Sequence, residues 1–253
     1  MNYAAQPPVL VVTGAASGIG LETARQWVRE GGQAVLLDVD SEKLDQAQAE
    51  LGERAWSVRT DVGDAASVDQ AFAQVAERHG GIDALVNSAG GTRPRPTAEM
   101  SDEDWGAVID IHLSGTMRAC RAAHPLLKEA GGAVVNLSSV AAVLGMPQRA
   151  SYNSAKHAIV GLTKSLATEW AADGIRVNAV GPGYVETQLT RRLIEAGSLD
   201  PAPTLERTPL KRWAQTGEIA DGIIFLLSKR ASYITGHTLM IDGGLSIDGS
   251  WYG

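Results

Sequence analysis

The chain has 253 residues, 44% of them hydrophobic and 20% charged, with 28 glycines, which suits one α/β domain with a sizeable core. A formal net charge of −7 argues against nucleic acid or an anionic membrane surface as the main partner. The single cysteine, Cys120, excludes an internal disulfide framework, fits a reducing compartment and reads as a small buried hydrophobe.

In chain order, the opening "MNYAAQPP" has no basic region ahead of an apolar run. No apolar stretch approaches the ~20 residues a membrane helix needs. A cytoplasmic protein with no membrane partner is the expectation. The run "VLVVT" (9–13) reads as a first strand and leads straight into "TGAASGIG" (13–20). Gly14, Gly18 and Gly20 remove side chains where a strand turns sharply into a helix. Backbone N–H groups and the helix N-terminus can then approach a pyrophosphate. The helix that follows carries apolar Ile19, Trp27 and Val28.

The second strand, "AVLLD" (34–38), ends in Asp38. A carboxylate there can accept both ribose hydroxyls of an adenosine, whereas a 2′-phosphate meets a like charge. Val39, not arginine, stands next to it, and Ser17 occupies a turn position where a basic residue could have held that phosphate. All three choices favour NAD over NADP; the plainer alternative is that Asp38 caps a loop.

Further strands are expected at "WSVRT" (56–60), "IDALVN" (82–87), "AVVNLS" (133–138), "IRVNAV" (175–180) and "TLMID" (238–242). Most lack strict polar alternation, as strands buried on both faces do. Helical period marks 64–79, with Val68, Phe72 and Val75 on one stripe and Asp64 as N-cap, and 101–113, where Ser101 caps a helix carrying Trp105, Val108 and Ile109. Strands alternating with helices point to right-handed βαβ units and a doubly wound parallel sheet. The least regular stretch, 188–216, holds three prolines and scattered charge. It reads as a lid or binding loop, with a tolerated surface insertion as the alternative. With no linker or repeat, residues 1–253 are expected to form a single dinucleotide-binding and catalytic domain, 188–216 being its substrate lid insertion.

Within "ASYNSAKHAIVG" (150–161), Tyr152 and Lys156 are helical neighbours on one face. A phenol beside an ammonium is either a solvated surface pair or the core of a proton-transfer site. Hydride transfer between an alcohol carbon and a nicotinamide needs a group that removes or returns the hydroxyl proton. A free tyrosine, with pKa ~10, is a poor base near neutrality. An ammonium one helical turn away, with the positive nicotinamide of the oxidised cofactor, favours the phenolate. The small neighbours Asn153, Ser154 and Ala155 leave room for cofactor and substrate to come close.

Together these motifs resemble the short-chain dehydrogenases/reductases. The resemblance extends over nearly the whole chain and rests on "TGAASGIG", Asp61-Val62, "NSAG" (87–90), "NLSS" (136–139), "YNSAK" (152–156), "RVNAVGPG" (176–183) and "ITGHTLMIDGG" (234–244), in order and at the family's spacing. It implies a Rossmann-like three-layer αβα sandwich with a parallel sheet of about seven strands, assembled as a homotetramer. It further implies that Asp61 and Val62 hold the adenine, and that Asn87, Ala89 and Gly90 line the nucleotide site. Pro182, Gly183, Val185 and Thr187 match the segment that fixes the nicotinamide carboxamide. The family's spacing picks Ser139 over Ser138 as the hydroxyl that binds the substrate oxygen and stabilises charge gathering there. Lys156 would both favour the phenolate and bind nicotinamide ribose hydroxyls. One departure is "IDIHLSGT", which offers His112 where the family has an asparagine whose main-chain carbonyl holds a water in a relay from the lysine. Either His112 simply occupies that position, or it titrates near neutrality and joins the relay as a further catalytic group.

The substrate pocket is expected among Gly91, Thr92, Ala141, Val143, Met146, Gln148, Tyr184 and Leu189, mostly apolar or neutral, which suits a secondary alcohol or ketone with a hydrophobic body. Arg93, Arg95, Arg191 and Arg192 leave open a carboxylate or phosphate on the substrate, or plain solvation. In the tail "SIDGSWYG", Trp251 and Tyr252 form an aromatic pair that calls for cover from a neighbouring subunit. The reading is an NAD(H)-dependent alcohol dehydrogenase or ketoreductase with Tyr152 as acid/base and no metal. A carrier-linked 3-oxoacyl reductase using NADPH shares every catalytic residue, but Asp38 and Val39 speak against its cofactor. A sugar-nucleotide epimerase or dehydratase needs a long C-terminal domain for which the last ten residues leave no room. A non-catalytic NAD-sensing protein has no need of Ser139, Tyr152 and Lys156.

Overall fold

A computed structural model describes residues 7–129, 131–197 and 199–249. Its strands are β1 (Val9–Thr13), β2 (Gln33–Asp38), β3 (Ala55–Arg59), β4 (Ala84–Asn87), β5 (Ala133–Leu137), β6 (Arg176–Pro182), β7 (Val185–Glu186), β8 (Ala214–Gln215) and β9 (Thr238–Ile241). All but β7 and β8 join one seven-stranded parallel sheet in the order β3-β2-β1-β4-β5-β6-β9. Each of the seven expected apolar runs is therefore a strand. Successive side chains leave opposite faces of a strand, so a sheet covered on both sides needs apolar residues without interruption. In β1, Val9 and Val11 enter one core layer while Leu10 and Val12 enter the other.

The helices are α1 (Gly18–Arg29), α2 (Ser41–Leu51), α3 (Ala65–His79), α4 (Asp102–Ile109), α5 (Gly115–Lys128), α6 (Ala150–Glu169), α7 (Gln188–Glu195), α8 (Ala202–Arg207) and α9 (Thr216–Leu227). One layer buries Leu44 of α2 and Ile219 and Ile223 of α9 with the even residues of β1; the other buries Phe72 of α3, Leu127 of α5 and Leu166 of α6 with the odd ones. This is the three-layer sandwich expected of alternating βα units. Asp64 caps α3 by accepting from the Ala66 N–H, and Ser101 caps α4 by accepting from the Asp104 N–H. Val68, Phe72 and Val75 are all buried, but Trp105 stays 39% exposed, so Val108 carries the burial of α4.

Between α4 and α5 the chain runs through a π-helical turn, Asp110–Ser114, where a continuous α-helix was expected. The stretch 188–216 is also more ordered than its composition suggests. Thr187 caps α7 in a reciprocal capping box with Thr190, α8 follows, and β7 pairs with β8 in a two-stranded parallel ribbon that closes the excursion at its base. Trp251 and Tyr252, and with them the expected aromatic cover, lie outside the described residues. Among the described residues no helix is long and apolar enough to cross a membrane.

Two glycines pin the first turn. Gly14 has φ +67°, and a Cβ there would lie 2.7 Å from the backbone of Ala89; one on Gly20 would lie 2.3 Å from the Gly14 carbonyl oxygen. The β1 and β4 loops can thus approach only because Gly14 has no side chain. Gly14→Ala is expected to lower the unfolding free energy by about 2–3 kcal/mol in urea denaturation. A loss within the roughly 0.5 kcal/mol of a neutral surface change would contradict this packing.

Candidate active site

The strand order reverses at β1, with β2 on one side and β4 on the other, so the loops leaving the carboxyl ends of these strands diverge and open a crevice. The crevice is a cleft of about 570 Å³. Of the sequence-predicted cofactor residues it brings together Gly14, Ser17, Gly18, Ile19, Asp38, Asp61, Val62, Ala89, Gly90 and Thr187. Gly18 has φ +57° and a Cβ there would meet only the Thr187 methyl group, at 3.8 Å, so the N-terminus of α1 faces open cleft. The unpaired backbone N–H groups of a helix N-terminus suit a dinucleotide diphosphate.

Asp38 caps its loop and also lines the cleft. Its Oδ2 accepts from the Ala16 N–H and its Oδ1 from the Asp40 N–H, each at 3.1 Å, while the carboxylate lines the cleft. Lys43 and Arg192 line the same cleft. Lys43 is paired with Asp40, whereas Arg192 has no carboxylate partner among the described residues. Several expected cofactor residues, Lys156 among them, are absent from the cleft lining. Gly20 packs beneath the turn. Asn87 points into the core, where its amide donates to Asn136 Oδ1 at 2.9 Å and to the sulfur of buried Cys120. Pro182, Gly183 and Val185 are absent from the cleft lining; Gly183 is held by the Ile241 carbonyl, and Val185 is buried in the β7–β8 ribbon.

At the carboxyl end of β5 stands a sheltered cluster. Lys156 is 5% exposed, donates from Nζ to the Leu137 carbonyl at 2.6 Å, and lies 5.5 Å from the centroid of the Tyr152 ring. Ser139 sits beside the phenol and favours its ionised form, while the Ser138 hydroxyl turns away to the Lys156 carbonyl at 3.1 Å. The two serine hydroxyls thus face different partners. Burial pushes the Lys156 ammonium down to about 7. Burial also raises the Tyr152 phenol above its ordinary range, against smaller opposing effects of Ser139 and Arg149. Desolvation, not the neighbouring ammonium, therefore dominates the phenol in this chain by itself, a balance that helical spacing could not reveal.

His112 sits on the π turn, 4% exposed, with its ring edge-to-face against Tyr152 at 5.3 Å between centroids. Burial, and then the charge of Lys156, push its imidazole down to about 3. Both effects favour the neutral ring and speak against titration near neutrality. Asn153, read as a small neighbour leaving room, instead donates to the Ala141 and Leu144 carbonyls at 2.9 and 2.6 Å and ties the loop after β5 to α6. That tie is a long-range contact with no signal in local sequence.

The expected substrate residues divide. Gly91 lines the cleft, and Thr92, Val143 and Gln148 are exposed along the loops after β4 and before α6, with Met146 half-buried between them. Gln148 holds φ +62°, and its carbonyl accepts from the Arg95 N–H at 2.9 Å, stitching the two loops together. Ala141 is wholly buried, its N–H donates to the Ser139 hydroxyl oxygen at 3.1 Å, and it is absent from the cleft lining. Tyr184 stacks on Trp213 at 5.7 Å and lines a small separate cavity with Thr208 and Asp242. The Leu189 side chain lies outside the described residues. Arg93 and Arg95 both donate to Asp104 at 3.0 Å, and Arg93 first among them holds its carboxyl below the usual range. Asp104 therefore pairs with both arginines that the sequence left open as an anion site and offsets one of their two charges. Arg191 is paired with Glu186.

A parallel doubly wound sheet, a glycine turn over an open helix N-terminus and a buried Ser–Tyr–Lys cluster define a nucleotide-dependent oxidoreductase scaffold. A family model described as Enoyl-(Acyl carrier protein) reductase matches residues 14–246. The chain is 38% identical over 243 residues to the 3-oxoacyl-[acyl-carrier-protein] reductase FabG of Thermotoga maritima, covering 94% of this chain and 98% of that protein. It is 40% identical over 243 residues to the D-threitol dehydrogenase of Mycolicibacterium smegmatis, covering 94% and 93%. A crystal structure of 3-ketoacyl-(acyl-carrier-protein) reductase from Brucella melitensis complexed with NADH superposes with TM-score 0.87 at 30% identity, over 96% of this chain and 99% of that one. The chain belongs to the short-chain dehydrogenase/reductase family and is an oxidoreductase of that family.

The buried Lys156 makes stability depend on pH. Between about 7 and the ordinary 10.5 the unfolded chain holds a proton that the folded chain has lost, so folding gains stability as pH rises through this window. Lys156→Met removes the buried charge. Its thermal midpoint is expected to exceed that of the wild type most at about pH 6, with the gap closing towards pH 10.5. A pH-independent gap in scanning calorimetry would contradict the burial assigned to the ammonium.

Proposed function

We propose that the chain is an NAD(H)-dependent oxidoreductase that interconverts a secondary alcohol and a ketone by hydride transfer, with Tyr152 as the acid/base. The observation that carries this reading is the Ser139–Tyr152–Lys156 cluster, sheltered from water beside a cleft that fits a dinucleotide. A bound nicotinamide supplies the hydride acceptor or donor. In alcohol oxidation Tyr152 takes the hydroxyl proton, Ser139 donates to the substrate oxygen, and Lys156 favours the phenolate electrostatically. In ketone reduction the same phenol returns the proton. Ser17, Gly18 and Ile19 would hold the diphosphate, Asp38 the adenosine ribose, and Asp61 and Val62 the adenine. Asn87 would act from below, by bracing the loop that carries Ala89 and Gly90. Residues 1–253 then act as one catalytic domain, with 188–216 as the lid over the substrate.

Asp38 supports NAD, because its free lone pairs suit ribose hydroxyls and its charge disfavours a 2′-phosphate. A second reading, an NADPH-dependent reductase of carrier-bound 3-oxoacyl groups, has Lys43 and Arg192 in its favour, two cations lining the same cleft. FabG and polyol dehydrogenases both occur among the relatives, so the family alone does not choose between these substrates. The intact cluster supports an enzyme over a non-catalytic NAD sensor.

Tyr152→Phe is expected to lower kcat by about 10²–10⁴-fold in an assay of alcohols and ketones, with dinucleotide binding retained. Turnover within about tenfold of the wild type would overturn the assignment of the acid/base. In the same assay kcat/KM is expected to favour NAD over NADP by at least about tenfold, and Asp38→Ala to narrow that ratio. A wild-type preference for NADP would move the reading to the carrier-linked reductase.

A further inference from the structure

His112 is the one buried titratable group at the site that proton transfer by Tyr152 leaves without a part. Its Nε2 lies 2.7 Å from the Gly91 carbonyl oxygen, and the Gly91 N–H points at the same nitrogen from 3.1 Å. Were Nε2 unprotonated, its lone pair would face the carbonyl lone pairs at the shorter of those distances. The shorter contact decides for a proton on Nε2, donated to the Gly91 carbonyl, at the cost of the longer one, where the Gly91 N–H then faces a donor. Nδ1 is then a bare acceptor, and it is buried with no partner among the described residues. A buried acceptor left unsatisfied is costly, so a group in this position calls for a donor.

The surroundings narrow what that donor is. Gly90 makes the space for the ring, since a Cβ there would fall 2.2 Å from Cε1 and 2.8 Å from Nδ1. From α6, Tyr152 presents its ring to the imidazole and Lys156 its charge. The Thr116 hydroxyl binds the His112 carbonyl instead of the ring. Asp110, on the same π turn, is paired with Arg118, and no carboxylate among the described residues acts on the imidazole. The ring thus lies where the floor of the dinucleotide cleft, at Gly90 and Gly91, meets the acid/base cluster.

We propose that His112 is a positioning residue: anchored through Nε2–H to the Gly91 carbonyl, it offers Nδ1 as the acceptor for a hydroxyl proton, from a ribose of the bound dinucleotide or from a water, at the junction of the cleft and the Tyr152–Lys156 cluster. It thereby fixes the loop after β4 against the acid/base without carrying a proton itself. The depressed imidazole agrees with this, because a ring pushed down to about 3 stays an acceptor across the working pH range. The role rests on the oxidoreductase reading, but the tautomer does not.

Nitrogen-15 spectra of histidine-labelled protein, assigned with His112→Phe, read the tautomer in the chain alone. The expected result is a neutral, Nε2-protonated ring that does not titrate between about pH 5 and 8. An Nδ1-protonated ring, or a midpoint near 6.5, overturns the proposal whatever the activity. A hydrogen-bonded Nδ1 signal that appears only when NAD is added assigns the ribose as donor, and one present from the start assigns water; an Nδ1 that remains unbonded in both states overturns it. In turnover, His112→Phe keeps the ring and removes the acceptor, so kcat is expected to fall about tenfold with the pH profile unmoved, and His112→Gln to recover part of the loss. A fully active His112→Phe would reduce the residue to a space-filler and contradict the proposal.

Discussion

An ammonium shut away from water behind a phenol is the constraint on which the rest of this molecule turns. Lys156 has one carbonyl, that of Leu137, to offset the loss of hydration. A single neutral acceptor replaces a hydration shell poorly, and the charge is accordingly easy to remove. The same shelter keeps the Tyr152 phenol protonated. Two groups that would help each other ionise in water are each held towards neutrality by burial. In so dry a setting a further positive charge brought alongside acts at full strength, which turns a reluctant phenol into a responsive one.

The fold serves that corner by packing rather than by charge. Reversal of strand order at β1 opens the crevice, Gly14 lets the β4 loop close over it, and Gly18 leaves the α1 N-terminus uncovered. Beneath, Asn87, Asn136, Cys120 and Thr163 form a buried polar chain across β4, β5, α5 and α6, with amide donors meeting carbonyl, sulfur and hydroxyl acceptors. Such a network ties the ends of two strands to two helices and fixes the height at which the serine and tyrosine meet. Burial pushes the Cys120 thiol up to about 12, so its sulfur is a packing atom and a weak acceptor, not a nucleophile.

Much of this was legible in the chain because it depends on local rules. Seven short apolar runs, most of them without strict polar alternation, read as strands of a covered sheet, and Asp64 and Ser101 cap helices through bonds two or three residues away. The glycine turn, Asp38 and the Tyr–Lys pair likewise carry their meaning in spacing. What escaped depends on distant partners. Nothing near Arg93 or Arg95 in sequence announces that Asp104 will pair with both, nor that Tyr184 will stack on Trp213. The 188–216 excursion looked irregular because its helices are short and its capping box uses threonines in place of the acidic partner usually sought. The π turn under His112 was also invisible, since one extra residue in a helical turn leaves apolar periodicity almost unchanged.

The central claim is that burial, not the adjacent lysine, sets the phenol until a cation joins it. The most direct measurement is the ionisation of Tyr152 followed by ring-carbon NMR of labelled tyrosine, with and without NAD. The account predicts a midpoint above the ordinary 10.0 in the chain alone, falling by about two pH units or more when NAD is bound. A midpoint at or below 10.0 in the chain alone, or one that NAD leaves unmoved, would contradict it.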